Sequence, residues 1–183
     1  MARVFRQQID EGILNRAATL FARYGYAQTS VQAIADAVGM SKAGLLHYFP
    51  TKDALRDAVV AHSAALAAEV LDAVAGEPMG PARDRRVIET LVDQALARPG
   101  MVSYLVSATS TGSAEPLEPG HERIGRTVFE AFGVDADAEP ERAIRVLGAV
   151  GALSMTVLAA HRAGKAVAWR PYVVATSFDA LGH

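Results

Sequence analysis

TSVQAIADAVGMSKAGLLHYFPTKDAL, residues 29–55, holds the signals for two short helices joined by a tight turn. Thr29, with Gln32 three positions later, fits a capping box, so a helix is expected to begin there. Gly39 ends that helix, and Ser41 is placed to cap the next one. Pro50 stops the second helix, because its ring cannot continue a helical turn. The stretch therefore predicts a helix-turn-helix.

The second of these helices has two unlike sides. Leu45 and Phe49 lie four positions apart and share one face, which is expected to pack against the first helix. The opposite side carries four residues, with Tyr48 at its edge: Lys42, Ala43, Leu46 and His47. A helix of this kind can pack by its apolar edge and offer the other side to a DNA major groove, which is about 12 Å wide.

Helical signals also dominate the rest of the chain. Apolar residues from Ile9 to Tyr24 recur at a helical spacing, and residues 52–75 contain neither glycine nor proline. Further helices are predicted over residues 82–97, 101–109, 118–132, 140–163 and 169–181, and residues 110–119 are expected to form a loop. We therefore predict an all-α fold of about nine helices. A three-helix domain over residues 1–51 precedes a second helical domain over residues 52–183, and helix 52–75 connects the two.

Composition excludes several classes of site. The chain of 183 residues has no cysteine, so disulfides, thiolate chemistry and zinc fingers are excluded. Its formal net charge of −2 gives no sign of a nucleic-acid partner. The apolar, uncharged run at residues 146–160 is shorter than the roughly 20 residues that a bilayer span requires. Since the first residues also lack the apolar core of a secretory signal, we expect a cytoplasmic protein without a membrane partner.

Catalytic and metal-binding patterns are absent from the sequence. There is no His-Glu metal spacing and no glycine-rich phosphate loop, and the five histidines lie far apart. We therefore expect no enzyme activity, no metal site and no cofactor. Two alternatives remain open: an all-helical enzyme, and a helical protein that binds another protein instead of DNA.

The helix-turn-helix stretch resembles the TetR family of bacterial regulators. The resemblance follows the pattern T-S-V-x-x-I-A-x-x-x-G-x-S-K-x-x-L-x-x-Y-F-x-x-K-x-x-L and spans roughly residues 9–56. The matching positions are Thr29, Ser30, Ile34, Ala35, Gly39, Ser41, Lys42, Leu45, Tyr48, Phe49, Lys52 and Leu55. Many family members have a tyrosine where this chain has Leu46 or His47.

This resemblance implies DNA-binding roles for particular residues. Thr29 and Ser30, at the start of the second helix, would bind a phosphate, and Lys52 would hold another. The third helix and its cap would face the bases and backbone through Ser41, Lys42, Ala43, Gly44, His47 and Tyr48. Contacts to phosphate position a protein on DNA, whereas contacts to base edges specify the sequence.

A dimer surface is expected in the last two helices. Palindromic operators are read by two-fold proteins, and residues 146–160 are apolar around the whole helix, so they must be covered on all sides. The resemblance implies a four-helix bundle with the partner subunit, and the candidate residues are Gly148, Gly151, Ala152, Trp169 and Val173. The alternative is a central helix buried within one monomer.

The resemblance further implies an effector pocket between about residues 82 and 163. Its candidate lining residues are Met101, Tyr104, Leu105, Arg126, Phe129, Met155 and Leu158. His121 and His161 are further candidates for polar anchors. The expected function is a ligand-responsive transcriptional regulator: a homodimer that represses from a palindromic operator in double-stranded DNA and is released by an unidentified small molecule.

Overall fold

The structure, a computed structural model, describes residues 2–110, 119–135 and 137–183, and these residues form nine α-helices and no strand. The helices are α1 (Ala2–Tyr24), α2 (Val31–Ala37), α3 (Lys42–Tyr48), α4 (Lys52–Asp72), α5 (Pro81–Ala97), α6 (Pro99–Ser110), α7 (Pro119–Ala131), α8 (Pro140–Arg162) and α9 (Ala166–Asp179). The all-α prediction is confirmed. Most of the loop predicted at residues 110–119 lies outside the described residues.

The chain divides into two compact units, and the division differs from the expected boundary after residue 51. The first unit runs to Ser63 and also includes the α6 segment from Gly100. The second begins at Ala64, runs to Pro99 and resumes after α6. The first unit extends past residue 51 because Leu55 and Val59 on α4, and Met101 on α6, belong to its buried core.

That core holds the helix-turn-helix together. Leu45 of α3 is 1% exposed and lies in one apolar cluster with Ile34 and Ala35 of α2. Five α1 residues, among them Phe21, together with residues of α4 and Met101 of α6, complete the cluster. Gly39, between α2 and α3, has φ +70°, a left-handed conformation that glycine adopts without strain. The turn and the shared core together fix how α3 lies against α2.

The cap of α2 corrects one detail of the sequence interpretation. Ser30, not Thr29, is the N-cap residue, and its hydroxyl accepts a hydrogen bond from the Ala33 amide at 3.0 Å. Gln32 donates to the Asp36 carboxylate one turn later instead of closing a capping box. Ser41 caps α3 as predicted, accepting from the Gly44 amide at 3.0 Å.

Helix α8 is the centre of the second unit and packs against α9 and α5. One side, including Val146, Leu153 and Val157, is buried within the unit. The opposite side is exposed at Leu147 and Met155, so the alternative of a central helix buried within one monomer is wrong. Among the described residues, α8 is the one helix long and apolar enough to cross a membrane by composition, a test that core helices also pass.

Two polar clusters tie the second unit together. The buried Arg83 guanidinium donates to the carbonyls of Val74, Glu77 and Ala131, and so joins the ends of α4 and α7 to α5. The neighbouring Asp84 carboxylate is bound by Arg142 at 2.6 Å and by the His183 ring at 2.7 Å. Buried polar groups of this kind stabilise a fold only because each has its partners.

Replacing Leu45 by alanine tests the core of the first unit. Leu45→Ala is expected to lower the free energy of unfolding by about 2–5 kcal/mol, because a fully buried leucine leaves a cavity. Leu46→Ala, at a half-buried position on the same helix, is the matched control and should cost clearly less. Chemical denaturation of the two variants measures the difference, and equal losses would contradict this packing.

The ion pair between α5 and α9 makes the stability of the second unit depend slightly on pH in the acidic range. The Arg170 guanidinium binds the Asp93 carboxylate through two bonds of 2.6 and 2.8 Å, and this bonding lowers the pKa of Asp93 below its ordinary value of 3.8. A lowered carboxyl pKa stabilises the fold above the unfolded value, and that stability is lost as the pH falls through the folded value. Both side chains are largely exposed, so the contribution is below about 1 kcal/mol. Between pH 6 and 3, the unfolding temperature should fall slightly less for Arg170→Met than for the unaltered chain. A larger fall for the variant would contradict the assignment of the lowered Asp93 pKa to Arg170.

Candidate nucleic-acid interface

The side of α3 that faces away from the core carries three exposed residues. These are Lys42, Ala43 and His47, while Gly44, Leu46 and Tyr48 are half-buried. The burial of Leu45 on the inner side explains the orientation of Ala43 and His47, because residues two positions from a buried residue of a helix point elsewhere. Lys42 is exposed at the first position of the helix. The outward polar side predicted from the sequence is therefore present.

Tyr48 links this exposed side to the core. Its side chain packs against the cluster that contains Leu45, and its ring lies edge-on to His47, with the ring centres 6.0 Å apart. The contact favours some orientations of the His47 ring over others. His47 thus projects from α3 with a neighbour that limits its freedom, which suits a side chain that contacts a partner.

Gly44 keeps the first turn of α3 narrow. A Cβ atom added there would lie 3.2 Å from the Ser41 hydroxyl oxygen, which is a tight but not impossible contact. The same hydroxyl caps the helix through the Gly44 amide. The absence of a side chain at Gly44 therefore leaves room for the Ser41 cap.

The structure places Thr29 in a different role from the one expected. Its side chain is buried, and its hydroxyl donates to the carbonyl of Gly25 at 2.8 Å, with a longer contact to that of Leu20. These carbonyls belong to the end of α1, so the hydroxyl secures the turn and is not presented to solvent. Ser30, which is exposed, remains at the surface.

Lys52 also has internal partners. Its ammonium donates to the carbonyl oxygens of Tyr26 at 2.9 Å and Thr29 at 3.1 Å, and lies 3.5 Å from that of Ala27. It also lies 4.2 Å from the centre of the Tyr26 ring. The sequence interpretation singled out Lys52 but did not find these partners, because a lysine that binds a distant turn has no local pattern.

Tyr26 is the residue that sequence reasoning missed. Its phenol donates to the Asp53 carboxylate, and this bond is the main reason that the pKa of Tyr26 is raised; burial and the nearby negative charge act in the same direction. Arg56 lies 4.8 Å from the ring centre. Tyr26, Lys52, Asp53 and Arg56, which we call the Tyr26 cluster, therefore join the α1–α2 turn to the start of α4.

The predicted effector-pocket residues are divided between the two units. Met101, Tyr104 and Leu105 lie on α6 in the first unit, where Met101 is buried beside Ser63. Arg126, Phe129 and Leu158 belong to the second unit, where Arg126 is exposed and paired with Glu122. Met155 is 58% exposed, because it lies on the outer side of α8. Neither unit by itself assembles the predicted set.

The predicted dimer residues are also of two kinds. Gly148 and Gly151 lie on the exposed side of α8, and an added Cβ at either would meet no atom within 4 Å. Ala152 and Trp169 are half-buried. Val173 is 3% exposed within the second unit, so its assignment to a surface is wrong: α9 turns this side toward α5 and α8.

A metal site finds no support in the described part of the chain, where no group of three or more His, Asp or Glu side chains could hold an ion. His161 has a structural partner, since its ring lies 2.7 Å from the Leu96 carbonyl oxygen. The candidate interface thus consists of the outward side of α3 and the cap residues Ser30 and Ser41, with the Tyr26 cluster behind them.

A family of known proteins shares this arrangement of residues. The family described as bacterial regulatory proteins, tetR family, matches residues 13–59, which run from α1 through the first part of α4. Over these residues the chain is similar to the TetR family. The match covers the capped α3, its exposed side and the core that orients it.

Curated relatives are similar to this chain over a short segment. The regulator named HTH-type transcriptional regulator RutR, from Escherichia coli K12 and from Shigella flexneri, is 42% identical over 50 residues. That segment is 27% of this chain and 24% of the relative, so the chain matches about a quarter of the length of these relatives.

Solved structures extend the likeness to the whole fold. A TetR family transcription regulator from Marinobacter aquaeolei VT8 superposes with a TM-score of 0.63 over 98% of both chains, at 19% identity. A TetR transcriptional regulator from Rhodococcus sp. RHA1 gives 0.51 over 97% of this chain and 96% of the other, at 18% identity. At these identities the likeness shows the fold alone.

Proposed function

We propose that this chain is a DNA-binding transcriptional regulator whose α3 reads the major groove. The observation that carries the proposal is the capped, outward polar side of α3 within a TetR-family domain. RutR, which is similar over 50 residues of this chain, is itself named a transcriptional regulator. The proposal for this chain rests on the side chains that α3 presents.

These side chains suit recognition of duplex DNA. Lys42 and His47 supply a cation and an aromatic ring with hydrogen-bonding nitrogens, and Ala43 offers a methyl group for contact with a thymine methyl. Ser41 accepts from the Gly44 amide, so its own O–H hydrogen can point to a phosphate. We therefore assign base contacts to α3 and phosphate contacts to the two cap serines and Lys42.

The functional assembly is proposed to be a homodimer formed by the outer side of α8. Ile144, Leu147 and Met155 are each more than half exposed there, next to the open surfaces of Gly148 and Gly151. An exposed apolar row with small residues admits a second helix at close distance. A second copy of this chain suits the row because two reading helices related by a two-fold axis match a palindromic operator.

The second unit is proposed to bind a small-molecule effector that releases the repressor from DNA. A ligand changes DNA affinity only if it prefers one of two arrangements of the dimer, and couplings of about 1–3 kcal/mol are typical. Helix α4 contributes residues to both units, so it is the element through which such a preference would reach α3. The cytoplasm, where DNA and small metabolites are both present, is the proposed location.

Binding to duplex DNA is the test of this function. The chain should shift duplex fragments that flank its own gene in an electrophoretic mobility assay, and the affinity should fall steeply as the salt concentration rises. A folded dimer that binds no duplex at low salt would overturn the proposal. Such a result would favour the alternative that this fold binds another protein.

Replacing His47 by alanine tests base reading. His47→Ala is expected to change which operator variants bind best, with the loss concentrated at one or two base pairs at about 1–3 kcal/mol each. Selection from a randomised duplex library measures this preference. A uniform loss on all sequences would show that His47 contacts the backbone instead.

Replacing Leu147 by glutamate tests the dimer. Leu147→Glu places a charge in the proposed interface but leaves the single chain folded, because the side chain is 54% exposed. Analytical ultracentrifugation at micromolar concentration should report a monomer for this variant and a dimer for the unaltered chain. Tyr24→Glu, at a similarly exposed position of the first unit, is the control and should remain dimeric; a dimer for both variants would place the interface elsewhere.

A further inference from the structure

The ammonium of Lys52 lies where three carbonyl groups of the α1–α2 turn converge. The acceptors belong to Tyr26, Ala27 and Thr29, at 2.9, 3.5 and 3.1 Å. A lysine ammonium has three N–H donors and no acceptor, so three converging carbonyls suit it well. The face of the Tyr26 ring, 4.2 Å away, adds a fourth favourable contact to the same charge.

These contacts join two segments that lie on either side of the helix-turn-helix in sequence. The α1–α2 turn leads directly into α2 at Val31, and Lys52 is the first residue of α4. Only Phe49, Pro50 and Thr51 separate α4 from the end of α3. The ammonium therefore closes a ring that runs from the turn through α2, α3 and the start of α4 back to the turn.

Neighbouring residues strengthen this closure. The Tyr26 phenol donates to Asp53, and Thr51 caps α4 by accepting from the Ala54 amide at 2.9 Å. Thr29 holds the other end of the turn through its bonds to the carbonyls of Gly25 and Leu20. The turn is thus bound from both sides, and its carbonyls are directed at Lys52.

We propose that Lys52 is a positioning residue, which holds α2 and α3 in the orientation required for DNA binding, and not a phosphate contact. The inference rests on the proposed DNA-binding function. To bind a phosphate, the ammonium would have to give up its carbonyl partners, which would then lose their charge-assisted hydrogen bonds. Lys42 is exposed on α3 and would not have to break such hydrogen bonds, so we assign the contact with the DNA backbone to Lys42.

Salt dependence separates the two roles. A lysine that neutralises a phosphate releases a counterion, so its removal lowers the slope of log affinity against log salt by about 0.9. A positioning residue releases none, so its removal weakens binding and leaves the slope unchanged. The two lysines of the first unit therefore form a matched pair.

The experiment compares Lys52→Met with Lys42→Met on one operator duplex, by fluorescence anisotropy between about 50 and 200 mM salt. Methionine keeps most of the lysine stem and removes the charge. Lys52→Met should weaken binding about tenfold with an unchanged slope. Lys42→Met should reduce the slope by about 0.9. A slope reduced by about one in Lys52→Met would overturn the proposal.

Lys52→Arg supplies a second, independent comparison. A guanidinium binds phosphate at least as well as an ammonium does, so a phosphate contact would keep its affinity. An ammonium radiates three donors from one atom, whereas a guanidinium is larger and spreads its donors over a plane. It therefore does not fit the single point on which these three carbonyls converge, and a positioning role predicts weaker binding. Full affinity in Lys52→Arg would contradict the proposal.

Amide hydrogen exchange without DNA tests the positioning role apart from the proposed function. Loss of the ammonium should speed exchange at the Ala33 and Ile34 amides, which bond to Ser30 in the first turn of α2. Exchange at Val157, in the core of the second unit, is the internal control. Unchanged exchange in α2 would overturn the inference about Lys52. Failure of the unaltered chain to bind any duplex would instead overturn the function.

Discussion

The burial of Leu45 is the constraint on which the proposed DNA-reading surface depends. This side chain lies in the core that α1, α2 and the start of α4 form, so α3 has one fixed inner side. A helix of seven residues has about two turns, so fixing one leucine determines what the others face. Ala43 and His47 are exposed for this reason, and Lys42 is exposed at the first position of the helix. The polar surface is therefore a consequence of apolar packing.

The same physical rule operates in the second unit, where α8 has one buried and one exposed apolar side. Its inner residues satisfy the packing of a single chain against α5 and α9. Its outer residues are apolar and exposed in the single chain, and the proposed association of two copies would bury them. A monomer would leave this surface in water, whereas a dimer buries it and also pairs two copies of α3.

The sequence predicted those features whose cause lies within a few residues. Ser41 as a cap, the turn at Gly39 and the buried Leu45 follow from local spacing, and the helix order follows from breaks at glycine and proline. The roles of Thr29 and Lys52 could not be predicted, because their partners are the carbonyls of a turn and carbonyl directions leave no trace in residue identity. Val173 and Met155 were assigned to opposite sides from those observed, since a helix that is apolar all round does not show which side meets its own chain.

Cross-linking from α3 tests the central claim most directly. The chain has no cysteine, so Ala43→Cys introduces one reactive group on the exposed side of α3, and Ala82→Cys introduces one at an exposed position of α5. Each variant would be given a photo-activated cross-linker and mixed with operator duplex. We expect cross-links to major-groove positions from residue 43 and none from residue 82. Equal cross-linking from both positions, or none from residue 43 with the duplex saturated, would contradict the assignment of α3 as the reading helix.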